Sequence, residues 1–148
     1  MLYEEFYRKY LKLKKVKRDI NKLEDKKISL MSMVDVTAIA PKETSGSTNT
    51  KEDKMMKYCS ELEETEINLK KKRILEEEIK KQLTEKEQEL RKSDEILDKV
   101  YLYQYIEHLK WYQIAKKINY GKTKTYDFIN EIEKKLQEIK SAEKNGKI

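Results

Sequence analysis

The fold is decided by a stretch near the C-terminal end of the chain, which reads WYQIAKKINYGKTKTYDFINEIEKKL over residues 111–136. Apolar residues recur at steps of three and four on both sides of Asn119, which predicts two helices joined by a tight turn. Ala115 is small enough for two helices to cross at close range. Asn119 follows it four residues later, where the chain needs a left-handed backbone conformation that Gly and Asn adopt most readily. The spacing therefore predicts a helix-turn-helix.

The second predicted helix separates an apolar side from a polar one. Phe128, Ile132 and Leu136 are expected to be buried, and Tyr120 is expected to fill the core beneath the turn. The opposite side carries basic and hydrogen-bonding groups, which suit the base edges and phosphates of the DNA major groove. We predict that the base-reading residues are Lys122, Thr123, Lys124, Tyr126, Asp127 and Asn130.

Positive charge is concentrated around this motif. Between His108 and Tyr126 there are five lysines and no acidic residue, although the formal charge of the whole 148-residue chain is only +6. The alternative is a three-helix bundle whose exposed lysines are merely solvated. We predict instead that DNA phosphates are contacted by Lys110, Tyr112, Lys116, Lys117 and Lys134.

The domain around the motif is predicted to begin at residue 93. Ser93 is a candidate N-cap followed by two acidic residues, and a dense apolar and aromatic stripe runs from Ile96 to Leu109. His108 is expected at the end of the preceding helix, and Trp111 is expected to close the small core. We predict a three-helix domain over residues 93–140 and a disordered tail over residues 141–148.

Residues 1–92 have the pattern of a long helical arm. Heptad spacing predicts a helix over about 2–34 and another over about 51–92, and the only proline falls in a flexible loop predicted over about 35–50. The two helices can fold back as a hairpin or pair between chains as a coiled coil. The first seam comprises Leu13, Val16, Ile20, Leu23, Leu30 and Val34, interrupted at Lys27. The second comprises Met55, Cys59, Leu62, Leu69, Ile79, Leu83 and Leu90, interrupted at Glu66, Arg73, Glu76 and Lys86, with Ile67 and Ile74 to one side.

A second basic run lies in the first helix, where seven of the eleven residues from Arg8 to Arg18 are Lys or Arg. Such a run is either a solvated helix face or a surface that contacts phosphates. The sequence leaves both interpretations open.

The composition excludes several classes of protein. Charged residues make up 42% of the chain and apolar residues 37%, so we expect extended amphipathic helices in an all-α fold. One His and one Cys cannot supply a Cys/His zinc site or a disulfide framework, and the sequence holds no nucleophile–base pair or phosphate loop. We therefore expect no enzymatic activity, metal or cofactor. No apolar stretch could cross a membrane, and the acidic start of the chain is unlike a signal peptide, so we expect a cytoplasmic protein without membrane contact.

Two segments resemble a known family, the small phage transcriptional regulators of the ArpU and RinA type, whose C-terminal half is similar to region four of bacterial sigma factors. YIEHLKWYQIA at 105–115 resembles the family's approach to the motif, and NYGKTKTY at 119–126 resembles its turn and recognition-helix start. Thr125 stands where the family has Val, Gly121 replaces a helix-capping Ser, and Asp127 stands where Arg is frequent. The resemblance implies a regulator of phage or prophage genes, in RinA-like members the late genes, acting in a bacterial host cell.

The predicted function is sequence-specific regulation of transcription, as an activator, by binding double-stranded DNA. RNA polymerase and a second copy of the chain, bound through the arm, are the further partners considered. Two alternatives stay open at this point. One is a phage packaging component such as a terminase small subunit, which also combines a helix-turn-helix with helical oligomerisation, and the other is a helical adaptor that binds RNA polymerase.

Overall fold

The computed structural model describes residues 1–39 and 50–146 of the chain. Across these residues it contains helices and no strand, so the predicted all-α fold is confirmed. No helix in these ranges is both long enough and apolar enough to cross a membrane. The α-helices are α1 (Leu2–Ile39), α2 (Thr50–Lys92), α3 (Ile96–Tyr101), α4 (Trp111–Ile118) and α5 (Lys122–Lys144), and a π-helical segment (Leu102–Ile106) continues α3.

Two helices are longer than the sequence pattern predicts. Helix α1 continues to Ile39 instead of ending near residue 34, because no Gly or Pro precedes Pro41. Helix α5 continues to Lys144, so the prediction of a disordered tail over 141–148 is wrong for its first four residues. The physical reason is that Ile139 is buried and extends the apolar side of α5 by one turn. The rest of the predicted loop, residues 40–49, and the last two residues lie outside the described part of the chain.

The chain forms two compact units, which differ from the predicted division at residue 93. The core unit consists of Met1–Leu13 and Ile79–Ile148, and the arm unit consists of Lys14–Glu78. The first turns of α1 and the last turns of α2 therefore belong with the helix-turn-helix. Sequence patterns place a boundary where composition changes, whereas packing joins segments that are distant along the chain.

In the arm unit, α1 and α2 pack against each other as an antiparallel hairpin within one chain. Val16, Ile20, Leu30 and Leu69 are buried between them, and so is the side chain of Thr65. Cys59, predicted to belong to the seam, is exposed, while Ile67 and Ile74 lie to one side as expected.

The charged residues that interrupt the arm's apolar seams are engaged across the hairpin. Lys27, the interruption in α1, binds Glu66, an interruption in α2, with their charged atoms 3.6 Å apart. Arg73 binds Glu24 at 3.0 Å. Exposed pairs of this kind stabilise a fold by roughly 0 to 1 kcal/mol each, so their main effect is to favour one register of the two helices.

The core unit is built around aromatic side chains contributed by both of its chain segments. The ring of Tyr101 lies 5.6 Å from Tyr3, 5.9 Å from Phe6 and 5.0 Å from Tyr105, centroid to centroid. Burial raises the pKa of Tyr3 to about 12, and neighbouring carboxylates such as Glu4 add to the effect. The phenol groups of this cluster are therefore neutral at physiological pH, and the start of α1 is an integral part of the core.

A buried carboxylate joins α1 to α3. Asp98 is 1% exposed, and its Oδ1 accepts a hydrogen bond of 3.0 Å from the backbone N–H of Tyr3, in the first turn of α1. Its Oδ2 accepts a 2.9 Å bond from the Ser93 hydroxyl, which in turn accepts from the N–H of Glu95 at 3.2 Å. Ser93 thus lies three residues before the start of α3 at Ile96 and bridges Asp98 and the N–H of Glu95, while Glu95 occupies the N-cap position that we predicted for Ser93.

Replacing Asp98 by Ala should lower the free energy of unfolding by about 2 to 3 kcal/mol, because a hydrogen bond to a buried charged group is lost and a donor is left unpaired. Asp98→Asn keeps one acceptor oxygen and should cost less. Denaturant unfolding followed by circular dichroism measures both. The matched control is Asp94→Ala, at an exposed position four residues earlier, which should change stability by less than about 0.5 kcal/mol. Equal effects at residues 94 and 98 would contradict the assignment.

Candidate nucleic-acid interface

The turn of the helix-turn-helix has the predicted backbone. Asn119 adopts φ 62° and ψ 42°, the left-handed conformation, directly after the last residue of α4. The backbone N–H groups of Asn119 and Tyr120 both donate to the carbonyl oxygen of Ala115, the second over 3.2 Å. The role of Asn119 as the turn residue is therefore confirmed, and it sets the direction in which α5 leaves the turn.

Helix α5 is held to the core by a stripe of five buried residues. Ile132 and Leu136 are buried as predicted, whereas Phe128 is only half-buried. The prediction that Tyr120 fills the core beneath the turn is wrong, because it is 45% exposed and its ring meets Phe128 edge-on at 5.2 Å. The interior is instead filled by Ile114 of α4 and by the stripe on α5, which comprises Thr125, Ile129, Ile132, Leu136 and Ile139.

The first residue of α5 has no side-chain cap, and a buried hydroxyl lies one turn further on. Gly121 occupies the N-cap position with φ −73° and ψ 174° and makes no side-chain hydrogen bond. Thr125, which stands where the family has Val, is fully buried, and its hydroxyl donates to the carbonyl oxygen of Gly121 over 2.8 Å. The Thr methyl fills the space of an apolar residue while its hydroxyl bonds back to the preceding turn.

The outward face of α5 lies opposite the buried stripe and is polar. Thr123, Asp127, Asn130 and Lys134 follow one another at steps of four, three and four, so they share one face of a helix with 3.6 residues per turn. All four are exposed. Of the predicted base-reading residues, Lys122, Lys124 and Tyr126 lie toward the edges of this face. Lys134, predicted to contact phosphate, continues the same face by another turn.

The lysines around the motif carry uncompensated charge. Lys110, Lys116, Lys117, Lys122, Lys124 and Lys134 are all exposed, and none of them forms an ion pair with a residue that the structure describes. Two of them rest on aromatic rings: Lys117 Nζ lies 5.2 Å from the centroid of Tyr103, and Lys122 Nζ lies 5.3 Å from that of Trp111. Such contacts orient an ammonium group without neutralising it.

Aromatic side chains form the edge of the site beside the start of α5. Trp111 is half-buried and packs against the core as predicted, with Tyr126 at 5.4 Å and Tyr112 at 5.8 Å between ring centroids. Tyr112 is 52% exposed and Tyr126 37% exposed. Their hydroxyl groups are accessible to phosphates and their rings to the apolar parts of bases.

The structure also brings residues to this site that the sequence did not indicate. A groove of about 630 Å³ runs beside the outward face of α5, where Asn130 and Lys134 meet Tyr7, Tyr105 and Glu133. Burial raises the pKa of Tyr105, and the charge of Glu133 raises it further. No local signal could have found Tyr7, because it comes from α1, more than 120 residues earlier in the chain. Among the described residues, no group of three or more His, Cys, Asp or Glu could hold a metal ion.

Introducing Ser at position 121 should stabilise the protein by about 0.5 to 1 kcal/mol, because Ser can cap the free N–H groups of α5 and restricts the unfolded chain more than Gly does. A Cβ at this position meets no atom within 4 Å, so the side chain fits. Thermal or denaturant unfolding compares Gly121→Ser with Gly121→Ala. The Ala variant has no capping oxygen and should be about 1 kcal/mol less stable than the Ser variant, and equal stabilities would show that the cap is already satisfied.

Comparison with known proteins gives no match to this chain: no family model matches, and neither does any curated protein or solved structure. The resemblance to phage regulators of the ArpU and RinA type therefore stays a prediction.

Proposed function

We propose that this protein is a sequence-specific double-stranded DNA-binding protein that regulates transcription. The observation that carries the proposal is the outward face of α5. Thr123, Asp127 and Asn130 are exposed on it, in the first turns of the helix that follows a left-handed turn at Asn119. Polar side chains at the start of the second helix are the groups that a helix-turn-helix presents to base edges in the major groove.

The roles of the individual residues follow from their chemistry. The amide of Asn130 can accept from and donate to adenine, and the carboxylate of Asp127 can accept from the amino group of cytosine. Thr123 can bond to either kind of edge. The groups predicted to contact phosphates supply contacts to the backbone, which fix the register but carry no base preference. These are Lys110, Tyr112, Lys116, Lys117 and Lys134. Lys122, Lys124 and Tyr126, at the edges of the face, stay predicted base-reading residues.

The choice of a phage regulator, and of activation over repression, rests on the family resemblance. In this proposal the promoter-bound protein contacts RNA polymerase and increases transcription of phage or prophage genes.

Self-association through the arm stays a prediction. Because α1 and α2 already cover each other's seams, a second copy would use apolar residues outside the seams, such as Ile67 and Ile74 on α2, which are 54% and 69% exposed, or Ile28 on α1, which is 67% exposed.

Selection from a library of random duplexes with the purified full chain tests the proposal directly. We expect enrichment of one short sequence, bound in a strongly salt-dependent manner because lysines displace counterions from phosphates. Trp111 is the only tryptophan and lies beside Lys122, so its fluorescence reports binding at the helix-turn-helix. No enrichment and no fluorescence change on addition of duplex at low salt would refute the proposal.

Substitution of a base-reading residue and substitution of a phosphate-contacting residue should affect DNA binding differently. Asn130→Ala should relax the preference at one base position and weaken binding of the selected site by about 1 to 3 kcal/mol, because base contacts carry discrimination. Lys117→Ala should weaken binding to selected and random duplexes alike and reduce the salt slope by about 1. Competition binding between the two duplexes measures both effects.

The matched control for these variants is Lys140→Ala, because Lys140 is exposed on the C-terminal half of the same helix, away from the turn. It should bind both duplexes like the unaltered protein. If Asn130→Ala and Lys117→Ala reduced binding of both duplexes equally, the division between base-reading and phosphate-contacting residues would be wrong.

A further inference from the structure

The arm unit has a basic face whose role the helix-turn-helix does not explain. Lys15, Arg18, Lys22 and Lys26 follow at steps of three, four and four along α1, and all four are exposed. They lie on the side of the helix away from Val16 and Ile20, which are buried against α2. None of the four forms an ion pair with a residue in the described ranges.

Two of the acidic residues that could neutralise this face are engaged with the other helix of the hairpin. Asp19 binds Lys72 at 3.2 Å, and Glu24 binds Arg73 at 3.0 Å. Of the carboxylates on this stretch of α1, Asp25 is the one next to the basic face without such a pairing. The hairpin's ion pairs therefore draw negative charge toward the seam and leave positive charge on the outside of α1.

The outer side of α2 does not share this property. Between residues 50 and 78, Asp and Glu outnumber Lys and Arg, and acidic and basic blocks such as Glu63–Glu64 and Lys70–Lys71 follow one another along the helix. The basic face of α1 is thus not a general result of the high content of charged residues.

The length and chemistry of the face fit a polyanion with regularly spaced charges. At 1.5 Å per residue the four side chains span about 16 Å along the helix axis, over which one strand of duplex DNA presents about five phosphates. The face offers no carboxamide or carboxylate set for reading base edges. A membrane surface is a poorer fit, because an interfacial helix inserts its apolar side, and here that side is covered by α2.

We propose that the face formed by Lys15, Arg18, Lys22 and Lys26 is a second DNA contact, which binds backbone phosphates without base preference. The inference rests on the proposed function, because it assumes that the ligand of the helix-turn-helix is also the ligand of the arm. Each lysine or arginine that neutralises a phosphate releases about 0.9 counterion from B-form DNA. The arm therefore adds affinity and salt dependence, while α5 supplies the sequence preference.

The test uses the full chain with all four residues replaced by Ala. Its binding to the selected duplex and to a random duplex is measured over a range of salt concentrations. The slope of log affinity against log salt should fall by about 3 to 4 in magnitude for both duplexes, while the ratio of the two affinities stays unchanged. Far-ultraviolet circular dichroism and thermal unfolding establish that the variant remains folded.

The matched control replaces Lys54, Lys57, Lys70 and Lys71 by Ala. These residues are exposed on α2 in the same unit, and their removal lowers the net charge by the same amount. We expect the salt slope of this control to change by less than 1. An equal decrease of the salt slope in both variants would mean that the net charge of the protein alone determines the salt dependence, and would overturn the proposal.

The remaining outcomes separate the two proposals. If the unaltered chain binds no duplex at low salt, the proposed function fails and this inference fails with it. If the chain selects a DNA sequence and the α1 variant keeps the full salt slope, the arm contact is wrong and the helix-turn-helix proposal stands. Co-sedimentation with vesicles of phosphatidylserine and phosphatidylcholine, lost in the α1 variant while its DNA binding is unchanged, would assign the face to a membrane surface instead.

Discussion

The core unit depends on one buried interaction, the bond between the Asp98 carboxylate and the backbone N–H of Tyr3. It joins residues 95 positions apart. Two effects favour a carboxylate at the N-terminus of α1. It accepts a hydrogen bond from an N–H group that would otherwise be unpaired, and its negative charge interacts favourably with the helix dipole. Because Ser93 binds the second oxygen, the same group also fixes the segment between α2 and α3. Within the core unit the first turn of α1 thereby has a defined position, and Tyr3 and Phe6 pack against the ring of Tyr101.

Local features of the fold could be predicted from the sequence, because their causes lie within a few residues. The left-handed turn at Asn119 follows from backbone preference and the buried positions of Ile132 and Leu136 from helical spacing, and the structure confirms these predictions. The outward face of α5 was predicted by the same periodicity. Its ability to bind DNA stays a prediction, because exposure and charge are properties of the surface and the ligand is not part of the fold.

The features that sequence patterns missed depend on contacts between distant segments. Nothing near Asp98 in the sequence indicates that its hydrogen-bond partner is the backbone N–H of Tyr3. Likewise, nothing near Tyr120 indicates that Ile129 is buried in the core while Tyr120 is exposed. Helix ends were underestimated for a related reason. The buried position of Ile139, which extends α5, is created by packing in the core unit and has no capping signal of its own.

The distribution of ion pairs distinguishes two groups of basic residues: those that pair with acids within the fold and those that form no such pair. Where lysines and arginines stabilise this fold, they are paired, as Lys27 is with Glu66 and Arg73 with Glu24. On α5, Lys124 and Lys134 each have an acid three residues away, at Asp127 and Glu131, yet they form no ion pair with the described residues. Leaving them unpaired brings no stability and concentrates like charge on a small surface, which is unfavourable in isolation. A polyanion relieves that repulsion, so the pattern that is unfavourable for the free protein is the one that favours a phosphate ligand.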